Sequence, residues 1–343
     1  MELSVIVVDW RRPEITERCL VALHAAVPEG VGVEVVLVRN EASDDAAPWW
    51  RERFPGVVVV SSPTNLGFAG GVALGLAAAS SGIVVLVNND AVPAPGFLAA
   101  GLRTLQRSGP DVAAVTGRLV LEGRFRPARA EDDADDVLVG LRGERWARAD
   151  EGVELLNSTG VVLTRTGNGH DRDWLAPASR SAASLGDPFG FSGGAVFLRR
   201  GPLEAVGGFD PSLFMYYEDL DVAWRLRLAD FRTVHEPAAV VVHRHAGSSA
   251  SGGVFVRQQS TLNRLAVVAR NGSSTFLVRV VARTVARLVR DLLSAREGRH
   301  LPLAAWSCLA RSAPAAVVRA RRLRRADGVP GRRRRELERT LPR

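Results

Sequence analysis

The sequence predicts an α/β fold in which helices flank a mostly parallel sheet, followed by a helical, arginine-rich region. Three observations lead to this prediction. Short runs of β-branched residues alternate with helical patterns over roughly the first hundred residues, which is typical of right-handed β-α-β units. Polar residues stand where the apolar runs stop, as at the ligand-binding edge of such a sheet. The charge of the chain also changes sign near residue 250.

The charge distribution divides the 343 residues into two predicted domains, 1–250 and 251–343. Residues 1–253 carry 24 arginines against 32 acidic residues, a net charge of −8, whereas residues 254–343 carry 21 arginines against 5 acidic residues, a net charge of +16. The chain is too long for one ordinary hydrophobic core, so a large first domain with a smaller appendage is expected. All 45 basic residues are arginine. The absence of lysine excludes Schiff-base chemistry and lysine-dependent phosphate loops.

Signals for a cellular compartment are few. The two cysteines, Cys19 and Cys308, are far apart in the sequence, which favours a reducing compartment over a disulfide framework. The chain enters a strand pattern at its first residues, so no signal peptide is expected. The apolar stretch from Leu301 to Val318 is interrupted by one arginine and two prolines, so it is not expected to span a bilayer.

The first four strands are predicted from short apolar runs at Leu3 to Val8, Val33 to Val38, Val57 to Val60 and Val84 to Val87. A glycine-rich loop from Ser62 to Gly71 precedes the fourth strand and opens a helix. Its backbone amides at a helix start favour an anion. The glycine spacing is not the dinucleotide fingerprint, and the loop follows the third strand instead of the first, so binding of NAD is not expected.

The fourth strand is followed by Asn88, Asn89 and Asp90. Four consecutive apolar residues predict a strand buried on both faces, and the polar residues then stand at its carboxyl end. A carboxylate beside amide oxygens suits a hard divalent cation that also holds phosphate oxygens. The alternative is a polar turn without a ligand.

Another strand is predicted at Val112 to Val120. Residues 122–152 then interrupt the alternating pattern, which resumes at Leu155. Arginine-rich pieces flank the acidic run from Glu131 to Asp136, which predicts a variable, solvated acidic loop. Clustered carboxylates could bind calcium, but the run lacks a glycine-punctuated loop, so no calcium site is expected.

Small residues enter a later strand at Ser192, Gly193 and Gly194. They leave room for a substrate beside the backbone, and a β-bulge or tight strand packing would explain them equally well. A strand and turn from Asn157 to Leu163 precede them.

Glu218, Asp219 and Asp221 stand at the start of a predicted helix. Acidic residues in a first helical turn complement the helix dipole. Three acids in four residues, preceded by aromatic residues, exceed what capping requires, which favours a functional role.

A strand through Val240 to Val242 ends at His243, and His245 follows two residues later. The carboxyl end of this strand is expected at the same sheet edge as Asp90. A contact with a metal ion or a phosphate is therefore predicted for a histidine there.

These motifs together resemble the family-two glycosyltransferases with the GT-A fold, especially the bacterial branch of rhamnosyl- and galactofuranosyltransferases. The resemblance covers roughly residues 3–250. It depends on five motifs in the right order, namely Asn65-Leu66-Gly67-Phe68, Asn88-Asn89-Asp90, Ser192-Gly193-Gly194, Gly207-Gly208-Phe209-Asp210, and Glu218-Asp219-Leu220-Asp221 through Arg225. The resemblance implies inverting, metal-dependent transfer from a nucleotide-diphospho sugar.

The resemblance also implies roles for individual residues. Asp90 and His243 would hold Mg²⁺ or Mn²⁺ against the diphosphate, Asp219 would be the general base, and Glu218 would orient the base or the acceptor. The residues expected to bind the nucleotide sugar are Asp9, Asn40, Asn65, Gly67, Asn88, Asn89, Ser192, Gly193, Gly194, Asp221 and Arg225.

Two departures from the family pattern concern the nucleotide half. Arg39-Asn40 stands where the family commonly has Asp-Asn, and that acid usually accepts the imide N–H of uracil or thymine. Arginine has no acceptor to offer, so base recognition must move, for example to Glu41, or the donor base differs. Asp9 also replaces a common asparagine, and Val72-Ala73 replaces asparagines often found there. A dTDP- or UDP-sugar remains the favoured donor, with dTDP-rhamnose as the specific hypothesis.

The basic tail contains a helical pattern from Phe276 to Leu293. Its arginines at 279, 283, 287 and 290 fall on one face, and such a helix can lie on an anionic membrane. Many relatives use polyprenyl-linked acceptors, so a cytoplasmic enzyme held peripherally on the inner face of the cell membrane, acting on a lipid-linked or cell-envelope glycan, is expected. A solvated face, docking onto the acidic body and a subunit interface are the alternatives. Nucleic acid is not favoured, because the arginine runs lack interleaved aromatic residues.

Two other functions remain open at this stage. A nucleotidyltransferase that makes the activated sugar would need basic residues in an early glycine-rich loop, and Asn65 to Gly71 contains none. A glycan- or nucleic-acid-binding protein that has lost turnover is kept open by the altered turn at Arg39.

Overall fold

The computed structural model describes residues 2–42, 47–133, 136–180, 186–244, 253–293 and 300–342. The strands are β1 (Leu3–Asp9), β2 (Val33–Asn40), β3 (Val57–Ser62), β4 (Ile83–Val87), β5 (Ala91–Pro93), β6 (Val112–Leu121), β7 (Arg124–Pro127), β8 (Val137–Val139), β9 (Arg145–Ala149), β10 (Leu156–Ser158), β11 (Val161–Leu163), β12 (Gly169–Asp171), β13 (Ala195–Arg199) and β14 (Arg232–His243). The helices are α1 (Pro13–Ala25), α2 (Ala47–Arg53), α3 (Gly67–Ala78), α4 (Phe97–Arg107), α5 (Arg200–Ala205), α6 (Glu218–Leu228), α7 (Val254–Asn271), α8 (Ser274–Leu293), α9 (Leu303–Ala326) and α10 (Gly331–Thr340), with a 3₁₀ turn at Pro211–Leu213.

The main sheet has the strand order β3-β2-β1-β4-β13-β6-β14-β5, and β10 pairs with β6. Strands β1 to β4 run parallel, β13 runs antiparallel between β4 and β6, and β14 is parallel to β6. All seven residues of β1 are buried, as its continuous apolar run requires in a sheet covered on both faces. The predicted α/β class with a mostly parallel sheet is confirmed.

Helices cover both faces of this sheet. Apolar residues of α1, α2 and α4 form one core cluster with the strands, and residues of α3, α5 and α6 form another on the opposite face. Both clusters follow from the apolar stripes of the helices, which must be buried against the sheet.

The prediction of a loop over the whole of 122–152 is wrong, although the described residues of the acidic run, 131–133 and 136, do form a loop between β7 and β8. The described residues of this stretch contain β7, β8 and β9, which form a separate antiparallel sheet in the order β7-β9-β8. Phe125 stands between two arginines and is buried, and Ala147 is buried on the opposite face, because Phe125 pairs with Arg148 and Ala147 pairs with Arg126. The high charge of the stretch hid this period-two alternation. Residues 134 and 135 of the acidic run lie outside the described residues.

The C-terminal region is helical, as predicted. One core cluster joins apolar residues of α6, including Leu220 and Trp224, to residues of α7, α8 and α9. Part of the basic tail contacts the acidic body, because Arg319 binds both carboxylate oxygens of Asp210 at 2.5 and 2.6 Å. Among the residues that the structure describes, no helix is both long and apolar enough to cross a membrane.

Candidate functional site

The candidate site lies at one edge of the main sheet. Strands β1, β2, β4 and β14 end at this edge, and β13 begins there, because it runs in the opposite direction. The predicted residues therefore meet from distant parts of the chain. The backbone N–H of Asn88, for example, donates to the carbonyl oxygen of Gly194 at 3.1 Å.

Asp90 and His243 are in direct contact. His243 Nε2 lies 3.0 Å from Asp90 Oδ1, and the Asn157 side-chain oxygen lies 2.5 Å from His243 Nδ1. Because an amide oxygen can only accept, we assign a hydrogen to Nδ1. In the neutral ring, Nε2 then presents its lone pair toward the Asp90 carboxylate, and a positive charge between the two would stabilise the arrangement.

The donor set of this pair fits a divalent cation. Carboxylate oxygen suits Mg²⁺ and Mn²⁺, and imidazole nitrogen is a common ligand of transition metals. Two neighbouring ligands of an octahedral ion, each about 2.1 Å away, lie about 3 Å from each other. The buried Oδ1 of Asn88 has no hydrogen-bond partner among the described residues. Within the described ranges, no group of three or more His, Cys, Asp or Glu side chains has an arrangement that could hold a metal ion.

Glu218 and Asp219, here called the acid pair, begin α6 beside the glycine turn before β13. Asp219 Oδ2 accepts from the backbone N–H of Gly193 at 3.1 Å, and Oδ1 accepts from that of Leu220 at 2.6 Å. Burial raises the pKa of Asp219 despite these hydrogen bonds. The acid pair therefore includes a carboxylate with fixed orientation and increased affinity for a proton.

Glu218 is more strongly perturbed than Asp219. Its side chain belongs to a residue only 7% exposed, and Oε2 has no hydrogen-bond partner among the described residues. Burial, together with the negative charge of Asp219, raises the pKa of Glu218 to about 8. At neutral pH, Glu218 is therefore mainly the uncharged acid.

The turn before the acid pair has unusual backbone geometry. Phe214, Tyr216 and Tyr217 have φ angles of 62°, 67° and 71°, in the left-handed region that bulky residues rarely adopt. The amide nitrogen of Asn263, on α7, lies 2.7, 2.9 and 2.7 Å from the carbonyl oxygens of Leu213, Met215 and Tyr216. The buried side chain of Asn263 therefore stabilises this turn from a different helix, α7.

The glycine-rich loop packs against the same turn. Gly67 has a φ of +68°, and a Cβ atom there would lie 2.2 Å from the carbonyl oxygen of Phe214, so only glycine fits without rearrangement. The backbone N–H of Ala69 donates to that oxygen at 2.9 Å. The loop and the acid pair are thus held in one arrangement.

Asn40 and Asn65 hold the glycine-rich loop in shape. Asn40 donates to Asn65 Oδ1 at 3.0 Å and to the carbonyl oxygen of Gly67 at 3.2 Å, and Asn40 Oδ1 accepts from the backbone N–H of Leu66 at 2.8 Å. Asn65 Oδ1 also accepts from the backbone N–H of Gly67 at 2.9 Å. The side chain of Asn40 is buried. The side-chain amides of Asn40 and Asn65 therefore form these hydrogen bonds with atoms of the glycine-rich loop or with each other.

A cleft of about 600 Å³ opens where β1 and β2 end, lined among others by Asp9, Arg39, Glu41 and Trp49. Asp9 accepts from the Thr16 hydroxyl at 2.6 Å, and burial raises its pKa. We call this opening the Arg39 cleft. Its size and mixed polar and aromatic lining suit a nucleoside.

One residue that lines the Arg39 cleft and one residue near it are held by other side chains. Glu41 accepts from Trp10 Nε1 at 2.8 Å and pairs with Arg11 at 3.0 Å, so both its oxygens are engaged. Asn89 donates to the Thr16 hydroxyl at 3.0 Å, which links the turn after β4 to α1.

Asp221 and Arg225 are not brought into the group at the sheet edge. Asp221 is 1% exposed and accepts from Arg225 at 3.0 and 2.7 Å and from Asn271 Nδ2 at 2.7 Å. Arg225 also donates to the carbonyl oxygen of Gly208 at 2.6 Å. The two residues join α6 to α7 and to the turn before the 3₁₀ helix. His245 lies outside the described residues.

Ser192 forms two hydrogen bonds at the glycine turn before β13. Its backbone N–H donates to the Thr116 hydroxyl at 3.3 Å, and its own hydroxyl accepts from the backbone N–H of Gly194 at 3.5 Å. A Cβ atom at Gly194 would lie 2.7 Å from the Leu119 side chain, which explains the small residue there by packing.

Sequence reasoning missed two residues of the site, Asn157 and Asp171. Asp171 ends the short strand β12, where burial raises its pKa to about 6; the hydrogen bond with Ser158 opposes that shift and the charge of Asp219 adds to it. Strand β12 has only three residues and no readable period. A signal for Asn157 existed, since the polar residues Asn157, Ser158 and Thr159 separate two apolar runs.

The sequence profile described as Glycosyltransferase like family 2 matches residues 2–271. The chain belongs to this glycosyltransferase family. The family resemblance inferred from the five motifs is confirmed, and the protein is an enzyme that transfers sugars.

Similar proteins include a curated relative and solved structures. An N-acetylglucosaminyl-diphospho-decaprenol L-rhamnosyltransferase from Mycobacterium tuberculosis is 27% identical over 264 residues, which cover 72% of this chain and 77% of the relative. The mannosyltransferase PcManGT from Pyrobaculum calidifontis, in complex with GDP-Man and Mn²⁺, shares 19% identity with a TM-score of 0.52, covering 96% of this chain and 86% of that one. Residues 1–349 of S. aureus TarS, in complex with UDP-GlcNAc, share 13% identity with a TM-score of 0.52, covering 99% and 93%. The structural likenesses confirm the GT-A fold of this glycosyltransferase.

Proposed function

We propose that this glycosyltransferase moves a sugar, with inversion, from a nucleotide-diphospho sugar to a hydroxyl group of a lipid-linked glycan. The observation that carries the proposal is the meeting of the Asp90–His243 contact and the acid pair at one sheet edge. The relative named as a rhamnosyltransferase for a decaprenol-linked acceptor supports rhamnose as the sugar and a polyprenyl-linked acceptor. The donor that we propose for this sugar is dTDP-rhamnose.

Asp90 and His243 would hold a Mg²⁺ or Mn²⁺ ion, and the side chain of Asn88 lies beside them, with its Nδ2 3.5 Å from His243 Nε2. A bound cation would supply charge neutralisation to the leaving diphosphate. Asn157 would keep His243 Nε2 directed at the ion, since it accepts from Nδ1. A structural neighbour with Mn²⁺ is consistent with this role.

Asp219 would act as the general base. It would take the proton of the acceptor hydroxyl while that oxygen attacks the anomeric carbon from the face opposite the diphosphate, and a single displacement of this kind inverts the centre. The Gly193 N–H fixes one of its oxygens. Glu218, which is mainly neutral at pH 7, would orient the base or donate a hydrogen bond to a substrate oxygen.

The donor would lie across the sheet edge. Its nucleoside would occupy the Arg39 cleft, where a guanidinium can donate to the carbonyl oxygens of a base. Its diphosphate and sugar would pass the turns that carry Asn65, Gly67, Asn89, and Ser192 to Gly194. Asp9, which lines the same cleft, would lie beside the nucleoside. Asp221 and Arg225 would position α6 and so would act on the donor indirectly.

A polyprenyl-linked acceptor requires the enzyme to work beside a bilayer. We therefore infer peripheral attachment at the inner face of the cell membrane, with the C-terminal arginines contributing to the attachment through anionic lipid.

Binding and turnover assays test the proposal. Thermal shift and calorimetry with dTDP, UDP, GDP and ADP, each with and without Mn²⁺, should find one diphosphate whose binding needs the ion and is lost in Asp90→Ala. Transfer from dTDP-rhamnose to an N-acetylglucosaminyl-diphospho-polyprenol should fall by about 10² or more in Asp219→Asn. The exposed acid Asp150 provides a matched control, since Asp150→Asn should change neither quantity.

The assays also have outcomes against the proposal. Full turnover in Asp219→Asn would remove the assigned base. Absence of diphosphate binding at millimolar concentration would favour a glycan-binding protein without turnover.

A further inference from the structure

Helix α8 has two apolar faces, and only one of them is used in the core. Phe276, Leu277 and Val280 are buried against the rest of the molecule. On another side, five apolar residues spaced by three or four positions form a line along the helix. These residues, with their exposed fractions, are Val278 (67%), Val281 (41%), Val285 (52%), Val289 (48%) and Leu292 (56%). We call this line the valine stripe.

Arginines lie on one side of the valine stripe, beyond a row of alanines. At 100° per residue, Arg279, Arg283 and Arg290 fall within about 40° of each other and about 80–120° around the helix from Val289, with the exposed Ala282 and Ala286 in between. All three are exposed. Arg287 lies nearer the buried side and pairs with Asp291 at 3.8 Å. The sequence pattern predicted one shared face for all four arginines of α8. In the structure, Arg287 differs from the other three because it pairs with Asp291.

An exposed surface that combines a line of apolar side chains with nearby arginines matches few kinds of binding partner. Valine side chains can enter the boundary between headgroups and acyl chains of a bilayer, while arginines on the flank meet lipid phosphates. A second copy of the chain is a poorer match, because two symmetric stripes would bring rows of arginine near each other without acidic partners on the stripe.

We propose that the valine stripe of α8 docks on the surface of an anionic lipid bilayer. The inference extends the proposed function, from which it takes the lipid-linked acceptor, but the docking itself is argued from the exposed residues of one helix. The proposal assigns the membrane contact to the exposed apolar residues of the valine stripe as well as to the positive charge of the tail.

The docked helix is linked to the site by one hairpin, β11–β12. On α8, the Thr284 hydroxyl accepts from Arg264 at 2.8 Å, and Arg264 donates to Asn168 Oδ1 at 2.6 Å. The hairpin continues to Gly169, whose backbone N–H donates to the Tyr217 hydroxyl at 3.2 Å, next to the acid pair. Docking through α8 would therefore hold the acid pair in a fixed relation to the bilayer that carries the acceptor.

Vesicle co-sedimentation of the full chain tests this proposal. The wild-type chain should bind phosphatidylcholine vesicles containing phosphatidylglycerol, and the double variant Val285→Asp, Val289→Asp should bind them at least about tenfold more weakly. Arg279→Gln with Arg283→Gln should weaken binding to anionic vesicles by roughly fivefold per arginine and should make binding less sensitive to salt. Val139 is equally exposed but lies on β8, so Val139→Asp is the matched control and should bind like wild type.

Circular dichroism and binding of a nucleoside diphosphate establish that each variant is folded. They also separate the two proposals, because a chain that binds vesicles but transfers no sugar would overturn the proposed function and leave the docking surface intact. Equal vesicle binding by wild type and the double valine variant would overturn the docking surface. A wild-type dimer that the valine substitutions dissociate would overturn it too, since the stripe would then face a second copy.

Discussion

The side-chain amide nitrogen of Asn263 lies 2.7 Å from the carbonyl oxygen of Tyr216, two residues before the acid pair. This contact makes the geometry of the acid pair depend on α7, a helix nearly fifty residues further along the chain. Residues in the left-handed region cost roughly 1–3 kcal/mol each, and such a turn persists only where neighbouring groups fix it.

Asn263→Ala should therefore impair both stability and catalysis. Loss of the amide removes the donor to the carbonyl oxygens of Met215 and Tyr216, at about 1–3 kcal/mol in the free energy of unfolding, whereas that of Leu213 still accepts from Gln259. We expect kcat to fall at least about tenfold, because a base misplaced by about 1 Å can cost 10²-fold. Gln258 lies on the same helix and contacts Cys308 at 3.1 Å, away from the turn. Gln258→Ala should keep wild-type kcat, and an Asn263→Ala enzyme with normal kcat would show that the turn holds itself.

The neutral state of Glu218 predicts a dependence of stability on pH. The folded protein holds this proton up to about pH 8, whereas the unfolded chain releases it near 4.5. Between these values the folded state binds more protons, so the free energy of unfolding should fall as pH rises. Above about pH 8 both states are ionised, and this contribution no longer changes.

Glu218→Gln should remove that fall, because an amide has no proton to release in this range. The substitution also preserves the shape of the neutral acid, so we expect kcat at pH 7 to remain within about tenfold of wild type while Tm between pH 5 and 8 loses its dependence on this group. Glu151 is exposed, and Glu151→Gln is the matched control. A Tm profile that is unchanged in Glu218→Gln would show that Glu218 is ionised throughout.

The sequence predicts well the residues whose positions follow from where a strand ends. Asp90, His243 and Gly193 meet because parallel strands end at one edge and the antiparallel strand begins there. Asp219 and Asp221 are the same residue type two positions apart, yet the helix turns by about 200° between them. One therefore faces Gly193, while the other is buried against α7. Local composition cannot distinguish such positions.

Other features depend on contacts that no local pattern records. Asn263 lies in a helix that the sequence assigns to the basic region, and its partners are 47 to 50 positions away. Asp171 lies on a three-residue strand without a period. The small sheet of β7, β8 and β9 was missed because its alternating residues are mostly arginine, and the overall charge indicated a solvated loop.

Asn157 should control the affinity of the proposed cation site through His243. Asn157→Leu removes the acceptor that orients the imidazole, and loss of such a partner typically costs 10–100-fold in metal affinity. The Mn²⁺ concentration needed for half-maximal diphosphate binding, measured by calorimetry, should rise by about that factor. Asn157→Asp keeps an acceptor at the same place and should bind Mn²⁺ at least as well as wild type. Equal Mn²⁺ dependence in Asn157→Leu would mean that His243 does not bind the ion.

Arg39 should determine which nucleotide base enters the Arg39 cleft. Its guanidinium can only donate, so it should recognise a carbonyl oxygen of the base, and a hydrogen bond from a charged group contributes about 1.5–3 kcal/mol. Arg39→Ala should therefore raise Kd for the preferred nucleoside diphosphate by roughly tenfold or more while leaving kcat at saturating donor unchanged, since the base is remote from the reacting carbon. Arg39→Asp provides an acceptor and should change the ranking of dTDP, UDP, GDP and ADP in favour of bases with an imide N–H. Arg51 is exposed on α2 outside the cleft lining, so Arg51→Ala should preserve the wild-type ranking. An unchanged ranking in Arg39→Asp would place the base outside the Arg39 cleft.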